Sequence, residues 1–284
     1  RNVIGFDWQL RALKLAGVRV VWTVHNLKGH EAGGDTNDQE AHRRLIERAD
    51  AVILHCDYAR DALVEMYQPS AGALDRLHVV PHGSYVRHYD VDADAGAARD
   101  ALGLPAEGRV FAFVGAIRRY KNVAELLNAF SNLAELGPDD RLLVCGKPLP
   151  KKLGRELHER AAADPRIVLR LDRIPEAELS GILRAADAAV MPFRDVLTSG
   201  SAILALSHGR AVIAPSMGCL PGTLPGDATI LYDPAAPDGL RGALRAAATA
   251  DLAGMGKRAR AWADGLDWGP IAAETARLYR GEPG

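Results

Sequence analysis

The sequence predicts an α/β protein with two doubly wound, mostly parallel sheets. Short β-branched runs alternate with helical patterns along the chain, which is typical of strand–helix–strand units. The runs 18–26 and 51–56 are rich in β-branched and apolar residues, as expected of strands buried on both faces. The alternation restarts near residue 109, so we expect two such domains. The chain opens on a helical pattern instead of a strand and glycine loop, and we therefore expect the N-terminal domain to be incomplete here.

The first half of the chain is predicted from hydrophobic spacing. VRVVWTVHN (18–26) and AVILHC (51–56) are β-branched or apolar runs, and LHVVPHG (77–83) ends in a Pro/Gly turn. Before and between these runs the spacing is helical. The predicted helices cover 6–16, 37–48 and 58–67, and a linker with one short helix covers 86–108.

The second half repeats this alternation, and turn residues mark the ends of its strands more clearly. The first two strands, 109–117 and 141–148, each run into a glycine turn. The other predicted strands are 166–172, 188–193, 211–215 and 228–233, the helices are 122–136, 154–163, 176–186 and 201–209, and two more helices close the chain. We predict an N-terminal domain over 1–90, a C-terminal domain over 91–265, and a final helical segment, 266–284, that crosses back to the first domain.

Composition excludes several classes of protein. The 284 residues are 48% hydrophobic and 25% charged, as in soluble globular proteins, and the net charge of −1 gives no basic field for nucleic acid. No apolar run approaches the roughly 20 residues of a membrane helix, and no signal-peptide pattern opens the sequence. We expect a cytoplasmic protein, with peripheral contact to a membrane surface left open. The sequence shows no His/Cys cluster of the kind that binds a metal, and we predict neither a metal nor a cofactor.

Two loops of the second half could bind an anion. In FVGAIRRYKNVAELL (113–127), a buried strand ends at Gly115, and Arg118, Arg119 and Lys121 precede a helix, which suits a phosphate. A solvated loop with surface cations is the competing interpretation.

The stretch SGSAILALSHG (199–209) holds the second loop. Ser199, Gly200 and Ser201 follow a strand and open a helix, where unpaired N–H groups carry partial positive charge. An ordinary helix N-cap is the alternative. Because both loops follow strands of one sheet, we predict that together they bind a diphosphate.

At this point the chain resembles a known family. FVGAIRRYKNVAELLNAF, LLVCGKP, ILRAADAAVMPF and SGSAILALSHGRAVIAP, in this order, resemble the nucleotide-binding half of GT-B glycosyltransferases, in particular glycosyltransferase family 4. The resemblance implies two Rossmann-like domains and transfer of a sugar from a UDP- or GDP-sugar with retention of configuration. The acceptor would be a glycan, a lipid-linked saccharide or a small molecule. The resemblance does not give the oligomeric state.

The resemblance assigns the donor site with two departures. Lys121 matches the family's diphosphate lysine, but the arginine position falls on Ala116, so Arg118 or Arg119 would replace it. The family's two glutamates fall on Val196 and Leu204. A catalytically inactive, nucleotide-binding or partner-binding subunit is therefore the alternative function.

The remaining assignments also come from the resemblance. His25 matches a histidine that faces the donor sugar and the acceptor, so we predict it as the catalytic residue. Further cleft or acceptor candidates are Asn26, His30, Glu31 and Gly83, and the nucleobase candidates are Arg173 and Ile174. A surface ion pair of Asp172 with Arg173 is the competing interpretation.

Overall fold

The computed structural model describes residues 3–28 and 36–282, and it divides into two compact units. Unit 1 comprises Arg1–Gly83, Val196–Thr198 and Asp267–Gly284, and unit 2 comprises Ser84–Asp195 and Ser199–Leu266. Each unit contains its own parallel sheet.

Unit 1 contains a three-stranded sheet in the order β1-β2-β3. Its elements in chain order are α1 (Val3–Leu15), β1 (Val21–Thr23), α2 (Thr36–Arg48), β2 (Ala51–Leu54), α3 (Asp57–Tyr67), α4 (Ala71–Leu74) and β3 (Leu77–Val79). The central strand β2 is buried at all four positions, whereas β1 is only half-buried. The prediction that 18–26 forms a strand buried on both faces is therefore wrong in extent and burial, because β1 lies at an edge of the described sheet.

Unit 2 contains a six-stranded parallel sheet with helices between the strands. Its elements are α5 (Ala95–Ala101), β4 (Val110–Val114), a 3-10 turn (Arg119–Lys121), α6 (Val123–Ser131), β5 (Arg141–Cys145), α7 (Lys151–Ala161), β6 (Ile167–Arg170), α8 (Glu176–Ala185), β7 (Ala188–Val190), α9 (Gly200–Ser207), β8 (Ala211–Pro215), α10 (Leu220–Thr223), β9 (Thr229–Tyr232), α11 (Gly239–Thr249) and α12 (Leu252–Asp264).

The strand order of unit 2 is β6-β5-β4-β7-β8-β9. From the central strand β4 the chain adds β5 and β6 toward one edge of the sheet, and it then returns to add β7, β8 and β9 toward the other edge. This is the doubly wound order of dinucleotide-binding folds. The direction reverses between β4 and β7. Ligands of such sheets bind at the carboxyl ends of the strands beside this reversal, so the loops after β4 and β7 are the places to search.

The last helix, α13 (Trp268–Arg280), belongs to unit 1. Its Ile271 and Leu278 are buried in one apolar cluster with Ala51 and Ile53 of β2 and with Val80, which directly follows β3. Three helices, α11, α12 and α13, therefore follow β9, and the prediction of two is wrong. None of the helices in the described ranges is long and apolar enough to cross a membrane.

Two glycines shape the carboxyl edge of the large sheet. Gly115 and Gly146 follow β4 and β5 with φ values of 137° and 147°, which strongly favour glycine. A Cβ on Gly146 would lie 1.9 Å from the carbonyl oxygen of Gly115. Gly146 thus allows the backbone after β4 to pass close to the end of β5.

Candidate functional site

Lys121 and Ser201 converge on Gly115 at the strand-order reversal of unit 2. A Cβ on Gly115 would lie 3.4 Å from Lys121 Nζ and 3.9 Å from Ser201 Oγ. Lys121 comes from the 3-10 turn after β4, and Ser201 from the first turn of α9 after β7. Two loops distant in sequence therefore place a cation and a hydroxyl beside one glycine that has no side chain.

The Lys121 ammonium lies over two aromatic rings. Its Nζ is 5.8 Å from the centre of the Phe113 ring and 5.6 Å from that of Phe193. Burial, and secondarily the positive charge of Arg118, lowers the pKa of Lys121. Among the described residues no carboxylate pairs with this ammonium. A desolvated cation without a counter-ion favours the binding of an anion.

The loop before α9 combines the two interpretations that the sequence left open. Ser199 is the N-cap, and its hydroxyl accepts a hydrogen bond from Ala202 N at 3.2 Å. The Ser199 hydroxyl is therefore an ordinary helix N-cap, as the alternative interpretation predicted. The amides of Gly200 and Ser201 have no hydrogen-bond partner in the described part of the chain, and both residues are half-buried. These N–H groups remain available to an anion.

Backbone hydrogen bonds fix the loops around this site. Arg194 N, after β7, donates to the carbonyl of Tyr120 at 2.8 Å, which ties the two loops together. Ile117 N donates to the carbonyl of Lys147 after β5 at 2.9 Å. Of the two candidate arginines, Arg118 is half-buried and close enough to affect Lys121 electrostatically, whereas Arg119 is exposed. The geometry thus favours Arg118 beside Lys121.

The nucleobase candidates follow β6, an edge strand of the large sheet. Arg173 is exposed and Ile174 is half-buried, and β5 separates β6 from β4. Asp172 and Arg173 form no ion pair within the described residues, so the surface ion pair considered as their alternative role is absent. The nucleobase assignment itself stays a prediction.

In unit 1, His25 and Asn26 follow β1. His25 is exposed and Asn26 is half-buried. The backbone of this loop is held at the carbonyl of Leu27, which accepts hydrogen bonds from Tyr67 Oη at 2.5 Å and, in one tautomer, from His42 Nδ1 at 3.2 Å. His30 and Glu31 lie outside the described residues. The catalytic assignment of His25 stays a prediction.

Each strand of the small sheet is followed by a histidine, an arrangement that sequence reasoning missed. His25, His55 and His82 follow β1, β2 and β3. The ring centres of His25 and His55 are 5.8 Å apart, and those of His55 and His82 are also 5.8 Å apart. The Trp268 ring continues the row at 5.6 Å from His82. The spacing of histidines after successive predicted strands was the signal available in the sequence.

Gly83 packs under an aromatic side chain. A Cβ on Gly83 would lie 2.4 Å from a carbon of the Trp268 ring. Glycine is therefore required here by a contact inside unit 1, between β3 and the start of α13. Its role toward an acceptor stays a prediction.

Carboxylates are absent from the two positions that the family resemblance assigns to glutamate. Val196 is buried, with 8% of its surface exposed, and Leu204 is half-buried. Their aliphatic side chains cannot hydrogen-bond a ribose or a sugar hydroxyl.

The linker before α5 carries two overlapping Asp-x-Asp patterns, DVDAD (90–94), which sequence reasoning overlooked when it predicted no metal. Asp92 pairs with Arg260 at 2.8 Å, and Asp94 caps α5 through Ala97 N. Over the described ranges, no group of three or more His, Cys, Asp or Glu side chains could hold a metal ion.

The fold and this edge of the large sheet define a doubly wound α/β protein, and comparisons with known proteins give its family. The family model described as glycosyl transferases group 1 matches residues 108–249. The chain belongs to this family.

Two relatives and one solved structure are similar to this chain well beyond residues 108–249. D-inositol 3-phosphate glycosyltransferase of Corynebacterium urealyticum is 30% identical over 296 residues, covering 97% of this chain and 68% of the relative. The enzyme of the same name from Corynebacterium kroppenstedtii is 29% identical over 290 residues, covering 96% of this chain but only 63% of its own length. Anabaena HepE in complex with UDP-glucose aligns with a TM-score of 0.81 at 17% identity, covering 99% of this chain and 77% of that one. This likeness shows the GT-B fold class, and that prediction is confirmed.

Proposed function

We propose that the protein is a glycosyltransferase that takes a sugar from a nucleotide-diphosphate sugar and binds the diphosphate between Lys121 and the start of α9. The observation that carries the proposal is the convergence of Lys121 Nζ and Ser201 Oγ on Gly115 at the strand-order reversal. A phosphate at this position would meet an ammonium, a hydroxyl and the two unpaired amides of Gly200 and Ser201.

These groups suit the departure of a diphosphate. Negative charge grows on the leaving phosphate as the bond to the sugar breaks, and donors that are already in place stabilise it. The partial burial of Lys121 strengthens its electrostatic effect, because charges interact more strongly away from bulk water. Arg118 would add a second cation. We propose no metal in this step.

The donor and acceptor are proposed by analogy with the similar proteins. HepE is described in complex with UDP-glucose, so we propose a UDP-sugar first and a GDP-sugar second. The relatives are named for D-inositol 3-phosphate, so a phosphorylated polyol is the first acceptor to test, before glycans and lipid-linked saccharides. Retention of the anomeric configuration follows from the family resemblance and is part of the proposal.

A nucleotide-binding subunit without transferase activity is the second candidate. Val196 and Leu204 favour it, since neither can hold the ribose or the sugar. Both candidates require nucleotide binding and differ in turnover.

Calorimetric titration tests the binding step. Wild-type protein should bind UDP, and Lys121→Ala should weaken binding by about 10- to 100-fold, the value of a hydrogen bond to a charged group. Arg119→Ala is the matched control, because this neighbouring arginine is exposed, and its affinity should stay within about twofold of wild type. Equal affinity in wild type and Lys121→Ala would refute the site.

Turnover separates the two candidates. Protein incubated with UDP-glucose and a phosphorylated inositol should release UDP and form a glycoside whose anomeric configuration NMR reads directly. If the protein binds UDP but forms no free UDP by sugar transfer, with any of the proposed donors and acceptors, the non-catalytic subunit is supported.

A further inference from the structure

His55 occupies the middle of the histidine row, and hydrogen bonding fixes its tautomer. Its Nδ1 lies 2.9 Å from the carbonyl oxygen of Val80. A carbonyl oxygen only accepts, so Nδ1 carries the proton and donates it. In the neutral ring Nε2 is then a bare lone pair that can only accept.

That lone pair is buried and has no partner. The Nε2 atom of His55 is inaccessible to solvent and makes no hydrogen bond within the described residues. Burial, together with the neighbouring rings of His82 and His25, lowers the pKa of His55, although the Val80 carbonyl opposes this shift. A buried acceptor without a donor is costly, so its persistence calls for a donor that reaches it in the working protein.

The two neighbouring rings differ in their ability to donate. His82 Nδ1 lies 2.7 Å from the carbonyl oxygen of Gly83 and donates to it, which leaves its Nε2 as an acceptor in the neutral ring. Two acceptors cannot bond to each other. His25 makes no hydrogen bond to any described residue and is exposed. Either of its ring nitrogens is therefore available to donate.

Geometry allows this donor to reach the lone pair. In the order β1-β2-β3, His55 follows the central strand, and its Nδ1 is engaged on the β3 side by Val80. The His25 ring follows β1, on the opposite side, with its centre 5.8 Å from that of His55 and the ring planes inclined by 43°. Exposed side chains rotate on the picosecond-to-nanosecond scale, so a His25 ring at this separation can turn one of its nitrogens toward His55 Nε2.

We propose that His55 is a positioning residue for His25: its Nε2 accepts a hydrogen bond from the His25 ring, which fixes the tautomer and orientation of that ring. The chain then runs from His25 through His55 to the Val80 carbonyl. The second nitrogen of His25 is left as an acceptor that faces outward, suited to a sugar or acceptor hydroxyl. This role in the reaction rests on the proposed function, whereas the hydrogen-bond chain itself does not.

Nitrogen NMR of histidine-labelled protein tests the chain without any substrate. In wild type we expect Nδ1–H on His55, a single tautomer on His25, and a scalar coupling between the two rings across the hydrogen bond. His55→Asn keeps an amide that can donate to Val80 but removes the distal acceptor, so His25 should become a mixture of tautomers. His55→Gln places an acceptor further out and should restore the single tautomer. His158→Gln, on the exposed face of α7, is the control.

Two results would overturn the proposal. One is a wild-type spectrum in which His25 already exchanges between tautomers and shows no coupling to His55, a measurement that needs no variant to fold. The other is an identical tautomer state of His25 in wild type and His55→Asn. If turnover is found, kcat/KM should fall about 10- to 100-fold in His55→Asn, as for outer partners of functional histidines, with UDP affinity unchanged. Loss of UDP binding in Lys121→Ala reports on the proposed function alone, so the two ideas fail separately.

Discussion

Gly115→Ala is the substitution that most directly probes the space between Lys121 and Ser201. The new methyl group would lie 3.4 Å from Lys121 Nζ and 3.9 Å from Ser201 Oγ, contacts that require little movement of either side chain. It would, however, occupy the position that we assign to a phosphate oxygen. We therefore expect loss of nucleotide binding in a protein that still folds.

The expected effect of Gly115→Ala has two parts, one on the free energy of unfolding and one on UDP binding. The φ of 137° is unfavourable for alanine, which should cost about 1–3 kcal/mol of unfolding free energy. Loss of a charge-assisted hydrogen bond should cost a further 1.5–3 kcal/mol or so of binding, or about 10- to 100-fold in the Kd for UDP. The first part appears in urea unfolding and the second in calorimetric titration.

Gly103→Ala is the matched control for backbone strain. Gly103 also has positive φ, 65°, but a Cβ there would have no atom within 4 Å. It should lose about 1–2 kcal/mol of stability and bind UDP as wild type does. If both variants weaken UDP binding equally, or if neither does, the methyl group at Gly115 is not excluding a phosphate and the reasoning is wrong.

Three further changes test packing and electrostatics within the units. Gly83→Ala places a methyl group 2.4 Å from the Trp268 ring, so urea unfolding should show a loss of about 1–3 kcal/mol that shrinks in a Trp268→Ala background; equal losses in both backgrounds would disprove the contact. Burial raises the pKa of Asp140, but hydrogen bonds from Arg109 and neighbouring backbone amides outweigh burial and hold that pKa below its usual range. The stabilisation by the Asp140 carboxylate is therefore present above about pH 4 and is lost as pH falls through its folded-state pKa. Asp140→Asn should therefore be less stable at neutral pH, and its stability should depend less on acid. Acid-unfolding curves that run parallel in wild type and variant would contradict this expectation. Burial lowers the pKa of His208, so the unfolded chain takes up its proton first and stability falls as pH drops below about 6.5; His208→Gln should flatten this slope in guanidinium unfolding, and an unchanged slope would count against it.

The alternation of strands and helices was predictable because it depends on local spacing. The runs 109–117 and 141–148 contain the glycines, Gly115 and Gly146, at which the strands give way to turns, and the structure confirms both with positive φ. The third closing helix was missed because only two residues, 250–251, separate α11 from α12 in an otherwise continuous helical pattern.

The contacts around the candidate site were less predictable. Local spacing indicated that Gly115, Lys121 and Ser201 follow strands, and the doubly wound rule placed them at one edge of a sheet. The close approach of Gly146 to Gly115 and the position of His55 beside His25 depend on strand order and register, which a single sequence does not specify. These non-local contacts are where the structure adds to the sequence.

A crystal structure of the protein with UDP tests the central claim most directly. We predict the β-phosphate within about 3.2 Å of Lys121 Nζ and of the amide nitrogens of Gly200 and Ser201, a normal hydrogen-bond distance. A diphosphate bound elsewhere, or a Lys121 side chain turned away from it, would contradict the account.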